Sequence, residues 1–225
     1  MKLPIFSAAA VASVVTVLAA GCRTTTDPGT SVAPGSTLWV VNASRAAIDV
    51  TVDGVRVTTG LGIAGVSLQG LTPGSHTVRL QQPGASATDL PITATRGAGV
   101  TAVVESSIEG ALVARVLADT GAAPVDGKSK LRVVHLAGTA PPVDVWRTQP
   151  DYPSPIRVMF PFPYGAESSY LQSDPGTWTV FVTSTTDWNT RLAESGPIPA
   201  ASGEVKTVVL LDSAGVLKLR ALSDR

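Results

Sequence analysis

The chain has 225 residues, with 17 Lys and Arg against 17 Asp and Glu, so its formal net charge is zero. Only 15% of its residues are charged, below the roughly 25% usual for soluble domains. Yet 44% are hydrophobic, enough for a packed core and too many for a disordered chain. Scattered basic residues exclude the electrostatic footprint of a nucleic-acid binder, and a single cysteine excludes a disulfide framework or a thiolate metal cluster.

Residues 1–21 predict a lipoprotein signal peptide. Lys2 supplies the positive start, and the uncharged run from Ile5 to Ala20 is 16 residues long, shorter than the ~20 a spanning helix needs. The segment ends Leu18-Ala19-Ala20-Gly21-Cys22, and Cys22 is the one cysteine of the chain. This resembles the bacterial lipobox, with Leu displaced by one position. The resemblance implies that Cys22 is acylated and becomes the mature N-terminus, which makes the membrane a partner through N-terminal lipid. An ordinary cleaved signal with an incidental cysteine is the plainer alternative. Arg23 stands where an Asp is associated with inner-membrane retention, so the expected location is the outer membrane of a bacterial cell envelope. Residues 22–36 then read as the lipidated cysteine and a flexible tether: the Thr24–Thr26 run, two Pro-Gly steps and no apolar periodicity cannot bury a core.

Beyond the tether the sequence repeats itself. Leu38-Trp39-Val40-Val41-Asn42 returns as Leu131-Arg132-Val133-Val134-His135. Pro73-Gly74-Ser75-His76-Thr77-Val78 returns as Pro175-Gly176-Thr177-Trp178-Thr179-Val180. Gly110, Leu112, Arg115, Leu117 and Asp119 return as Gly215, Leu217, Arg220, Leu222 and Asp224. Three landmarks in one order predict a duplication: domain 1 over 37–119, a linker over 120–130, and domain 2 over 131–225, each long enough to own a core.

Within each copy the hydrophobic period is two. Asp49-Val50-Thr51-Val52 and Val55-Arg56-Val57-Thr58 alternate around Asp53-Gly54, a pair that tolerates the positive φ of a type I′ hairpin turn. Further strands are predicted at 76–80, 100–105 and 112–117, and in the second copy at 143–147, 178–183, 206–211 and 217–222. Seven or eight short strands per copy predict an all-β protein of two tandem immunoglobulin-like sandwiches.

The second copy's pattern, Leu131-Arg132-Val133-Val134-His135, Val143-Asp144-Val145, Tyr164-Gly165, Pro175-Gly176, Gly203 and Leu222-Ser223-Asp224, is similar to the domain of unknown function 4397 family. The resemblance covers nearly all of 37–225, better in the second copy than in the first. It implies a bacterial envelope or secreted protein with an immunoglobulin-like fold and no established activity. The first copy departs from the pattern with Asn42 where His135 stands.

Motifs for catalysis and cofactors are lacking. Gly60-Leu61-Gly62-Ile63-Ala64-Gly65 matches a dinucleotide fingerprint letter for letter, but Gly70 and Pro73 deny it the helix whose N-terminus would hold a pyrophosphate, so it reads as a loop. The two histidines are the only bases near neutral pKa. His76, aligned with Trp178, reads as core filling or a wet core edge; His135, replaced by Asn42 in the first copy, reads as a group that bonds loop backbone. No cofactor and no metal site is expected.

Nine of the ten aromatic residues beyond the signal segment lie in the second copy. Trp146, Tyr152, Phe160, Phe162 and Tyr164, interleaved with prolines, are candidate binding residues: exposed rings on a proline-stiffened loop can hold a sugar or a protein surface. The structural alternative has Trp146 capping the core and Phe160 and Phe162 facing inward. The sequence therefore predicts a non-enzymatic binding or scaffolding lipoprotein, with an envelope glycan or protein as partner. The alternative is a hydrolase of envelope polymers built without a recognisable motif.

Overall fold

The computed structural model describes residues 35–117, 123–149 and 152–224, with the side chains of 149, 152 and 153 excepted. The predicted signal peptide, Cys22, nearly all of the tether and residues 118–122, where the predicted linker begins, lie outside them.

Every regular element described is a strand. The first copy forms β1 (Ser36–Asn42), β2 (Ile48–Val52), β3 (Val55–Leu61), β4 (Val66–Leu71), β5 (Gly74–Gln81), β6 (Thr88–Ala94), β7 (Gly99–Ser106) and β8 (Leu112–Leu117). They make two sheets, β4-β1-β7-β8 and β3-β2-β5-β6. The second copy forms β9 (Ser129–His135), β10 (Val143–Gln149), β11 (Tyr152–Phe162), β12 (Leu171–Ser173), β13 (Gly176–Ser184), β14 (Arg191–Glu194), β15 (Ile198–Ala200), β16 (Val205–Ser213) and β17 (Val216–Ser223). Its sheets are β12-β9-β16-β17 and β11-β10-β13-β14, with β15 on the far end of β13. The correspondence is strand for strand, except that β14 and β15 together stand in the place of β6, and it extends to the parallel pairs β1–β7 and β9–β16. Both halves are immunoglobulin-like β-sandwiches.

Local chemistry explains the turns. Asp53 and Gly54 take φ of 49° and 80°, the left-handed pair that a type I′ turn demands, and Val52 pairs directly with Val55. The fingerprint-like run from Gly60 to Gly65 is the end of β3 and the crossing to β4, with Ala64 at φ 55°. No helix follows it.

Alternation fills two cores. Leu38, Val40, Val50, Val78, Leu80, Ala102 and Val104 belong to the first; Leu131, Val133, Val145, Trp178, Val180, Val208 and Leu210 belong to the second. A third cluster lies between the halves and draws on both: Val41, Val103 and Leu117 with Val134, Val209, Leu211 and Leu222, and with Trp39 packed against them. The order of layers is thus β3-β2-β5-β6, β4-β1-β7-β8, β12-β9-β16-β17, β11-β10-β13-β14. The middle strands have no solvent face. This is why β7 is buried over its first six residues and β16 over its first seven, where a sheet wetted on one side would alternate.

Polar contacts lock the same junction. Trp39 Nε1 donates to the Ser223 carbonyl at 2.8 Å. Gly99 N donates to the Asp224 carbonyl at 2.8 Å, and a Cβ on Gly99 would stand 2.6 Å from that oxygen; only glycine admits this approach. At the rim, Glu105 accepts from Arg115 at 3.1 Å and from the Tyr164 hydroxyl at 2.5 Å, while Arg115 reaches Glu167 at 2.8 Å. Burial and the Glu105 carboxylate together push the Tyr164 phenol up to about 12.

A Leu211→Ala substitution should cost about 2–5 kcal/mol, since Leu211 is fully buried in the shared cluster. Because that cluster belongs to both halves, urea unfolding followed by fluorescence should remain one transition shifted to lower denaturant. Two resolved transitions would mean that the halves unfold independently.

Candidate functional site

In β10, Val143 and Val145 enter the second core, so strand geometry turns Asp144 and Trp146 to the outer face of the sheet. In β13, Trp178, Val180 and Val182 point inward, which turns Phe181 and Thr183 outward beside them. Trp146 and Phe181 are direct cross-strand partners. Their rings stack with centroids 6.0 Å apart and planes 2° from parallel, and Trp146 Nε1 donates to Thr183 Oγ1 at 3.0 Å.

Arg157 of β11 pairs with Trp146 across the other edge of β10 and organises the rest. Its Nη1 donates to Asp144 Oδ2 at 3.0 Å. The guanidinium lies 4.0 Å from the Phe160 ring centre, 4.3 Å from Trp188 and 5.8 Å from Trp146. Arg191 repeats the motif at the far end: it lies 4.1 Å over Phe181 and is paired with Glu194 at 2.5 Å. The Asp144 side chain is 2% exposed, and a carboxylate so far from water needs its cation; Arg157 is therefore held by charge as well as by rings. Phe160 and Trp188 remain 57% and 53% exposed. Beside them opens a pocket of about 580 Å³, walled by Pro141, Pro142, Phe160 and Pro161, by the Asp144–Arg157 pair, and by Ser184, Thr185 and Thr186.

Of the candidate residues, Trp146 and Phe160 come together here. Trp146 faces outward and does not cap the core, because its parity in β10 is opposite to that of Val143 and Val145. Phe162 lies 5% exposed in the second core and cannot meet a ligand. Phe160 and Phe162 would share a face of a regular strand. However, β11 advances three residues from Met159 to Phe162 while β10 advances two from Val145 to Val143, and this bulge sends them to opposite faces. Tyr164, 47% exposed, turns to Glu105 in the first sandwich. The Tyr152 side chain lies outside the described residues. The expected stiff loop is largely strand; β11 tolerates its prolines because it is an edge. Phe181, Arg157, Arg191 and Trp188 were not among the candidates. Parity in β13 marks Phe181 as outward, but nothing local marks Trp188 as a neighbour of Arg157.

The first sandwich holds the same ion pair without the rings. Arg56 meets Asp49 at 3.4 Å, Thr51 pairs with Arg56 and with Arg79, and these positions correspond to Arg157, Asp144, Trp146 and Phe181. There Arg56 is 61% exposed. The aromatic setting belongs to the second copy.

Both histidines are engaged by the surrounding chain. His135 is fully buried and its Nδ1 accepts from Ala137 N at 3.3 Å; burial lowers its pKa and keeps it neutral. Asn42 occupies the matching strand end and donates to the carbonyls of Ala46, Leu61 and Gly62. His76 stands at a wet core edge, with Nδ1 2.6 Å from Asp53 Oδ2 and Nε2 2.7 Å from the Thr72 carbonyl. Two acceptors on one ring favour imidazolium, so the Asp53 hydrogen bond above all raises the His76 pKa, and the same bond lowers that of Asp53. With both ring nitrogens engaged, this His–carboxylate pair has none left for a substrate proton. Among the described residues no group of three His, Cys, Asp or Glu side chains gathers to hold a metal ion, and no helix is long and apolar enough to cross a membrane.

The stabilisation from His76 is complete below its ordinary 6.5 and is lost as pH rises through the raised folded-state value. That from Asp53 is complete above its ordinary 3.8 and is lost as pH falls through the lowered one. An Asp53→Asn variant retains the turn and an acceptor for Thr77 N, which Asp53 Oδ1 engages at 2.9 Å. Its stability deficit in denaturant titrations should be greatest between pH 3.8 and 6.5 and should close at alkaline pH. A deficit that does not vary with pH would show the folded imidazole to be neutral.

Residues 36–146, just under half of the chain, match the family described as domain of unknown function DUF4397, the family that the sequence motifs resemble. The matched stretch spans the first sandwich and ends at Trp146 in β10. No curated protein matches the sequence. Among solved structures, one of family 41 carbohydrate-binding modules from streptococcal virulence factors, described as recognising alpha-glucan, is similar at 10% identity. It covers 82% of this chain and 96% of its own, with a TM-score of 0.26. A DUF3823 family protein from Bacteroides ovatus is similar at 11% identity over 75% of this chain and 99% of its own, with a TM-score of 0.22.

Proposed function

We propose that this protein is a non-enzymatic lipoprotein of a bacterial cell envelope, held to a membrane, the outer one, by acylated Cys22, and that its second sandwich binds an envelope saccharide. The observation that supports this most directly is the Phe160–Arg157–Trp188 stack, in which one guanidinium holds two rings that are each more than half exposed. Large rings left in water and fixed in place lose little freedom when a ligand arrives. Their apolar faces suit the C–H face of a sugar, and the Ser184–Thr186 wall offers hydroxyls to its polar edge. The β11 edge beside the pocket carries Pro153, Pro155 and Pro161, which lack the N–H groups that an added peptide strand would need. This favours a saccharide over an extended peptide. The first sandwich, a duplicate of the second with a polar outer face, serves as spacer and partner in folding.

Phe160→Ala and Trp188→Ala should each weaken binding to an envelope-glycan array about tenfold or more while leaving thermal stability nearly unchanged; Tyr164→Phe should bind as the parent does. Undiminished binding by both alanine variants would remove the stack from the site. Separately, Cys22→Ser should move the protein from the membrane to the soluble fraction of fractionated cells, and retention in the membrane would exclude a lipid anchor.

A further inference from the structure

We infer that the saccharide is acidic and that its carboxylate is received by the Nε–Nη2 edge of Arg157. This rests on the reading of the Phe160–Trp188 face as a saccharide site and adds the charge of the ligand. Arg157 gives Nη1 to Asp144; among the described residues no acceptor bonds Nε or Nη2. Those two donors form the fork that matches the two oxygens of a carboxylate. Rings lie against the guanidinium and Asp144 fixes one corner, so the unbonded edge is the part left for recognition, and Arg157 itself lines the open pocket.

The charge count favours a carboxylate over a phosphate. Asp144 and Arg157 cancel, so the pocket has no net attraction for anions at a distance. A phosphate dianion would set two negative charges near the buried Asp144, where a carboxylate sets one. Attraction is then short in range and geometric, and affinity should depend only weakly on salt. The Asp49–Arg56 pair of the first sandwich supplies an internal comparison: it has the same register, a wider 3.4 Å separation and a 61% exposed arginine, so it lacks the fixed fork.

The test measures binding of the full protein to oligosaccharides of galacturonate, glucuronate, mannuronate and guluronate. Each is compared with its carboxyl-reduced form and with phosphorylated neutral sugars. An acidic oligosaccharide should bind at least about tenfold more tightly than its reduced form. Arg157→Lys keeps a cation beside Asp144 and so keeps the fold, but it replaces the fork with a point charge. It should erase most of that preference without abolishing binding of the reduced form. Equal or tighter binding of reduced or phosphorylated sugars would overturn the carboxylate and leave the saccharide site standing. An unaltered preference in Arg157→Lys would overturn the role of the fork. No binding to any sugar, or binding to acidic peptides alone, would overturn both the inference and the reading beneath it.

Discussion

Val41, Val103, Val134 and Val209 meet where no water reaches either side of the strands that carry them. Each middle strand must therefore be apolar in both parities, or its polar groups must be satisfied within the junction, as Thr207 is by the Asp224 carboxylate at 2.5 Å. Burying a fully shielded leucine or valine contributes about 1.5–3 kcal/mol, so the junction gives the two halves strong reason to stay together. It also dictates where other chemistry can go. With the central strands of both inner sheets buried on both faces, the broad free faces are those of β3-β2-β5-β6 and β11-β10-β13-β14.

These two outer faces share one strand plan and are different surfaces. Asp49–Arg56 and Asp144–Arg157 occupy matching places, but Thr51 and Arg79 stand in the first copy where Trp146 and Phe181 stack in the second. In the first, Arg79 forks onto Asp89 at 2.7 and 2.8 Å, an exposed pair worth little to stability. In the second, rings enclose the guanidinium, Asp144 is withdrawn from water, and the same two residue types become a rigid corner. The difference lies in the neighbours of the ion pair.

Much of the fold was legible because period-two alternation and turn chemistry are local. The Asp53-Gly54 hairpin and the strands at 143–147 and 178–183 follow from short windows. The shared junction was not read from the sequence, although it left a trace in the unbroken runs Leu38–Val41, a landmark of the repeat, and Val208–Leu211, part of a predicted strand: their physical message is burial on both sides. The site was only partly legible. Trp146 follows from parity once the core residues of β10 are known. Phe160 does not, since a bulge decides its face and a bulge depends on the partner strand. Trp188 does not either, because it is brought to Arg157 by a loop whose course no spacing encodes.

The junction is also self-complementary. By strand register, Val41, Val103 and Leu117 correspond to Val134, Val209 and Leu222, and all six lie in the one cluster. A patch that packs on its own equivalent is the signature of a two-fold symmetric pair of identical subunits. Identical subunits must change both sides of such a pair with every mutation. Joined in a single chain, they need not. One half can then keep a polar outer face while the other carries rings around its arginine, with no loss of the contact that holds the two together.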